Sequence, residues 1–305
     1  MLRITRKNIT YRFGEENPPV AVVKSGTVLV FETLDAHSGT VPKASAGTDV
    51  YFPDLDETNA NPVTGLVYVE GARPGDTLAV RILDVQVTGQ GFIPVRPKMG
   101  IIHDMSERPL ARIVSVEGDR WVLNEQWSFP LRPMVGTIGT AIPGPGVPTM
   151  YPGDHGGNMD NNYVRKGATV YLPVMVPGAL FGLGDVHAAM GDGEATSGGI
   201  DICAEVTVEI NLVKGGGLSP YPYIEYEGML ITCGHGPDLS SAIASVTRET
   251  IKILSRQMNI STREAYQLIS ALGDIGIAQA CNCPGVDVTT RLTIPMFWRH
   301  QEVIK

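Results

Sequence analysis

Through the first two-thirds of the chain, apolar and polar positions alternate in short bursts. β-Branched runs occupy 22–23, 27–32, 66–70, 77–87, 169–176 and 202–212, each bounded by glycine or proline. Alternation with a period of two marks strands with one buried face, and glycine and proline close such runs into turns. The 35 glycines and 22 prolines are scattered along the chain. That predicts many short elements joined by tight turns and no flexible linker. Lys24-Ser25-Gly26, Arg73-Pro74-Gly75 and Arg165-Lys166-Gly167 each precede a strand. A recurring hairpin opening explains this echo better than a duplication does.

The period changes late in the chain. Within 238–258, Leu239, Ile243, Val246, Ile253 and Leu254 recur largely at three- and four-residue steps, which predicts an amphipathic helix. Ser261-Thr262-Arg263-Glu264 is a capping box that opens a second helix to about Leu272, with Gly273 as its terminator. The segment 286–298 alternates again, like a closing strand. The predicted fold is α+β and β-rich, built of sandwich or barrel-like layers with a C-terminal helical pair. The run KGGGLSPYP beginning at Lys214 marks a junction. It divides a β-rich region, 1–213, from an α/β segment, 214–305, packed on it, unless both belong to one domain.

Composition narrows the function. A length of 305 residues allows a full-sized core. The net charge is -8 and no basic run occurs, which argues against a nucleic-acid surface. No apolar stretch approaches the roughly 20 residues of a membrane span, and the first residues lack an apolar signal core. The cytoplasm is the expected location. The cysteines Cys203, Cys233, Cys281 and Cys283 form no C-x-x-C pair, so they read as packing thiols and not as a metal knuckle. There is no G-x-S-x-G elbow, P-loop or H-E-x-x-H motif. A metal-activated water is the hydrolytic mechanism left.

The candidate chemistry lies between Tyr151 and Asp201. Asp185-Val186-His187 follows an apolar run. If the strand continues, carboxylate and imidazole share a face and converge on one point, as a divalent cation or a structural Asp–His hydrogen bond requires. Gly191-Asp192-Gly193-Glu194 sets two acids on a tight turn, poised for metal or protons, or simply exposed. His155-Gly156-Gly157-Asn158-Met159-Asp160 offers an imidazole, an amide and a carboxylate around a double glycine. Two acids, Glu32 and Asp35, end the strand TVLVF, and His37 beyond them reads as a surface histidine.

At these residues the chain resembles the prokaryotic acetamidase/formamidase family. The likeness is carried by HGGNMD (155–160), LPVMVPGALFGLGDVHAAMGDGE (172–194), FETLDA (31–36) and NPVTGLVYVEGARPGDTLAVRILDV (61–85), with PMVGTIGTAIPGPG (133–146) and TIP (293–295). The stretches 98–113 and 280–292 depart from it. The resemblance implies a β-rich fold, a homo-oligomer (a dimer or larger), a bound divalent cation and hydrolysis of formamide or acetamide. Residue by residue it points to Glu32, Asp35, His155, Asp160, Asp185, His187 and Glu194. Glu32, Asp35, Asp185 and His187 are then the metal ligands. Glu194, Asp160 and His155 are catalytic, with Glu194 the general base, and Gly156, Gly157 and Asn158 bind substrate. Zinc is the first choice of metal and calcium the second. The rival reading is a non-catalytic binding protein in which a cation only staples the fold. A third reading is a hydrolase of another linear or cyclic amide.

Overall fold

The computed structural model describes residues 1–53, 56, 58–281 and 285–300. Cys283 lies outside the described residues. The alternating runs become the strands Thr27–Thr33, Thr77–Val87, Thr169–Pro173 and Ala204–Val213. With Leu2–Ile4, Tyr223–Tyr226, Met229–Gly236, Asp274–Gln279 and Val288–Pro295 they form a nine-stranded sheet. Strands from both sides of position 214 belong to it. Only the edge pair Leu2–Ile4 with Thr27–Thr33 is parallel.

A second sheet stacks on the first. Its centre is Phe181–His187, flanked by Met134–Thr140 and Val63–Val69, and Gly156–Asn158 pairs with Met134–Thr140. Phe31 and Phe181 meet edge to face across the layers, 5.7 Å between ring centres. Such a pair adds about 1 kcal/mol to what its burial contributes. Leu29, Ile82 and Val206 from one sheet and Ile138, Leu183 and Val186 from the other fill the same core. The architecture is therefore a sandwich. A smaller sheet, in which Gly89–Val95 and Leu110–Glu117 pair, flanks it. Phe181–His187 is buried at every position. Burial on both faces and its glycines hide the alternation that marks the other strands.

Helix α1 (Leu239–Met258) and helix α2 (Thr262–Leu272) cover the far end of the large sheet. Asp238 caps α1 by accepting from the Ser241 amide, and the Ser261–Glu264 capping box of α2 is formed as expected. The buried stripe of α1 runs through Ala242, Val246, Thr250, Ile253 and Leu254. Leu239 is exposed and Ile243 half-buried, contrary to the spacing argument. The strand beneath explains the rotation. At Gly234 and Gly236 a Cβ would come within 2.7 Å of the Val246 Cβ and 2.8 Å of the Ala242 amide nitrogen. The helix settles into that glycine groove on its smallest residue. Among the described residues, no helix is long and apolar enough to cross a membrane.

Candidate active site

The site sits where the second sheet's strands end against the 158–162 and 191–201 loops. Phe181–His187 runs through to its last residue, so Asp185 and His187 come together, with Oδ1 3.4 Å from Nε2. Gly136 lies across from Asp185 on the neighbouring strand. Its carbonyl accepts the amides of Met159 and Asp160, both at 3.1 Å, which brings Asp160 over the pair. A side chain here is impossible without movement, because a Cβ would lie 2.5 Å from Asp160 Oδ1 and 2.8 Å from Asp185 Oδ2. One ligand atom each from Asp160, Asp185 and His187 lies within 4.8 Å of the other two.

Hydrogen bonds aim these acids. Asn158 donates to Asp160 Oδ2 at 2.7 Å and accepts from Thr137 and Asn61. Asn61 also donates to Asp185 Oδ2 at 3.0 Å. Gln279 bridges Asp160 Oδ2 at 2.6 Å and Glu194 Oε2 at 3.1 Å. Asp201 stands behind His187, 3.1 Å from Nε2. Asp160, Asp185 and Glu194 all have left-handed backbones, with φ of 45°, 52° and 47°. Each such residue costs of order 1–3 kcal/mol, and strain of this kind concentrates at functional sites.

Four carboxylates thus share a buried region with one imidazole. Burial pushes the Asp160 carboxyl well above its ordinary range, and the charges of Glu194 and Asp185 push it further. Burial likewise raises Asp201, to about 6, although His187 pulls the other way. His187 resists its own burial because Asp185 and Asp201 stabilise its proton, and its pKa is raised well above the usual value. Asp160 Oδ1 and His187 Nδ1 are buried with no hydrogen-bond partner among the described residues. Excess buried negative charge with an idle carboxylate oxygen is a donor set that a divalent cation would satisfy. Asp185, His187, Glu194, Asp201, Asn158 and Gln279 line a small cavity of about 30 Å³.

The structure thus gathers Asn158, Asp160, Asp185, His187 and Glu194 from the expected set, but not the rest. Glu32 faces outward and pairs with Arg3 at 3.0 Å. It is one residue out of phase with the inward Phe31 and Thr33, and strand alternation forbids all three from facing the core. Asp35 is buried but spent on its own loop, where Oδ1 accepts the amides of His37 and Gly39, both at 3.0 Å. Neither carboxylate lines the cavity. His155 is not in the cavity either. Its ring packs edge-on against Phe13, and burial lowers its pKa to about 4. Gly156 and Gly157 belong to the strand ladder against Met134–Thr140, where a Cβ would strike backbone, and they do not line the cavity.

Several lining residues stand outside the expected set. His37 is 2% exposed and not a surface group; Arg96, Gln279 and Asp201 are buried too, and Asn61 is half-buried. Asp35-x-His37 repeats the Asp185-x-His187 spacing, a signal that could have placed His37. Arg96 and Gln279 carry no motif at all. Cys281 also lines the cavity, its Sγ 3.9 Å from Glu194 Oε2. A neighbouring carboxylate disfavours a thiolate. Burial raises the thiols of Cys203 and, to about 12, of Cys233.

With this geometry in hand, comparison with known proteins is informative. The profile of the Acetamidase/Formamidase family matches residues 3–145 and 134–298. The chain is 26% identical over 262 residues to a formamidase of Methylophilus methylotrophus, covering 67% of this chain and 64% of that one. It therefore spans less than two thirds of that relative's length. The structure of an acetamidase from Bacillus halodurans superposes with a TM-score of 0.90 at 34% identity, covering 99% of this chain and 100% of that one. A predicted acetamidase/formamidase from Thermoanaerobacter tengcongensis gives a TM-score of 0.91 at 30% identity, covering 100% and 98% of the two chains.

Proposed function

The chain belongs to the acetamidase/formamidase family, and from that premise we propose that it is a zinc-dependent hydrolase of small aliphatic amides, releasing a carboxylate and ammonia. The observation that carries the reading is the buried Asp160–Asp185–His187 group, of which Asp185 and His187 line a cavity of about 30 Å³. Such a space holds about two waters, which favours the smallest amides as substrates. Two carboxylates and an imidazole suit zinc, whereas calcium takes six to eight oxygens. Asp160, Asp185 and His187 would hold the cation. Zinc held there would supply Lewis acidity, lowering the pKa of a water toward about 7 and polarising a carbonyl.

The remaining steps belong to the chain's own groups. Glu194 lines the cavity and is aimed by the Gln279 amide. It takes the proton of the attacking water and passes it to the leaving nitrogen. Asn61, Thr137 and Asn158 fix the carboxylate orientations, as outer hydrogen bonds do for metal ligands generally. Gly156 and Gly157, expected to bind substrate, stand outside the cavity lining and are not given that role.

The test is ammonia release from formamide, acetamide, propionamide and benzamide by zinc-loaded and chelated protein. Turnover should fall as the amide grows, vanish on chelation and return with zinc. Full turnover by protein that elemental analysis finds metal-free would refute zinc dependence. No release from any amide would refute the substrate class.

A further inference from the structure

The cavity is also lined by Arg96 and Met99, which flank the start of the stretch 98–113 that departs from the family pattern. Arg96 follows the strand Gly89–Val95, and the chain after it is pinned across the site. Gly100 donates to the Cys281 carbonyl at 2.7 Å and Ile101 to the Ala195 carbonyl at 2.8 Å. Those carbonyls stand close along the chain to Gln279 and Glu194. The segment is therefore fastened to both loops that carry the acid–base group and its support.

The Arg96 side chain lines the cavity and is 7% exposed. Its partners are neutral, the Met99 sulfur at 3.3 Å and His37 Nε2 at 3.0 Å. Nε has no hydrogen-bond partner, and no ion pair reaches the guanidinium, among the described residues. Arginine does not lose its proton in proteins, so this is a buried cation in need of an acceptor. Because Arg96 can only donate, His37 accepts through Nε2 and carries its own proton on Nδ1. That Nδ1 is a second buried donor without a described partner. Burial and the neighbouring guanidinium push the His37 pKa down to about 3, so the imidazole stays neutral.

The cavity lining combines the acceptors Asp185, Glu194 and Asp201, already served by the donors Asn61, Gln279 and His187, with a guanidinium that serves none of them, Arg96 supported by His37. A primary amide has the matching polarity, with an acceptor oxygen at one end and N–H donors at the other. We propose that Arg96 is the substrate-binding residue of this site, taking the amide carbonyl oxygen and then the product carboxylate, with His37 as the residue that positions it. This rests on the amidase reading. Hydrolysis breaks the C–N bond and forms a C–O bond, with the water protons going to nitrogen, so negative charge gathers on the oxygen end. A guanidinium there meets the charge as it develops. Its planar fork also fits a carboxylate in two-point contact, which an ammonium does not.

The experiment compares zinc-loaded wild type with Arg96→Gln, Arg96→Lys and His37→Gln. It reads kcat and KM on acetamide, competitive inhibition by acetate, acetate binding by calorimetry, zinc content and melting temperature. Arg96→Gln should lower kcat/KM by about 10²–10³, the usual worth of one oxyanion donor. It should also weaken acetate binding at least tenfold with zinc retained. Arg96→Lys should recover only part of both, and His37→Gln should move both in the same direction by less. If Arg96→Lys equals wild type, the residue is only a counter-charge to the acid cluster and the proposal fails. It fails equally if Arg96→Gln keeps wild-type acetate affinity and kcat/KM. Should Arg96→Gln not fold, the lysine variant decides. Should wild type hydrolyse no amide, the amidase reading falls separately, and acetate calorimetry still decides whether Arg96 holds a carboxylate.

Discussion

Replacing Asp160 with Asn should change stability in opposite directions with and without the cation. Asp160 is fully buried, and its ligand oxygen lies within 4.8 Å of that of Asp185. At an effective dielectric of about 20, two negative charges at that distance repel by roughly 3.5 kcal/mol. The metal-free protein escapes this by keeping Asp160 protonated, which is why burial, Glu194 and Asp185 hold its pKa well above 3.8. Holding a proton that the unfolded chain would release costs about 1.4 kcal/mol per pH unit. The sign follows from the raised folded-state value. The stability is whole below 3.8 and drains as pH climbs toward the folded pKa.

Asn is the neutral isostere, and its amide oxygen can still accept from Asn158 and Gln279. Chelated Asp160→Asn should therefore match wild type at pH below the ordinary carboxylate range and become the more stable of the two as pH rises. Zinc at about a thousand times its dissociation constant should stabilise wild type by roughly 4 kcal/mol and the variant far less. Denaturant unfolding of chelated and zinc-loaded protein across this pH range measures all of these. A chelated variant less stable than wild type throughout, or equal stabilisation of both by zinc, would refute the reasoning.

Three further outcomes follow from the same geometry. Glu194→Gln should keep its fold and its zinc but lose about 10²–10⁴ in kcat, the worth of a general base; wild-type ammonia release would reduce Glu194 to a turn residue. Gly136→Ala places a Cβ 2.5 Å from Asp160 Oδ1, so thermal unfolding should show a loss of about 1–3 kcal/mol. Zinc affinity, by competition with a chromogenic chelator, should fall by about tenfold or more. Ser261→Ala, which breaks the α2 capping box far from the site, should cost about 1 kcal/mol in denaturant while leaving steady-state turnover unchanged.

Local pattern determined much of this protein. Alternation located the strands Thr27–Thr33, Thr77–Val87 and Ala204–Val213, apolar spacing located α1 and a capping box located α2, because these signals act within a few residues. The core of the site was legible for the same reason. Asp185 and His187 are two apart on one strand, and Asp160 and Glu194 sit on glycine-marked turns. What sequence could not determine was which distant side chains share a space. Glu32 and Asp35 are acids at a strand end, yet strand phase sends one to Arg3 and loop closure occupies the other. His155 belongs to the same HGGNMD run as Asp160, but its ring packs against Phe13. Arg96 and Gln279 bear no local mark, and only the meeting of separate loops carries them to the acids. Their role is set by the charge they find there, and that charge exists only once the sandwich has closed.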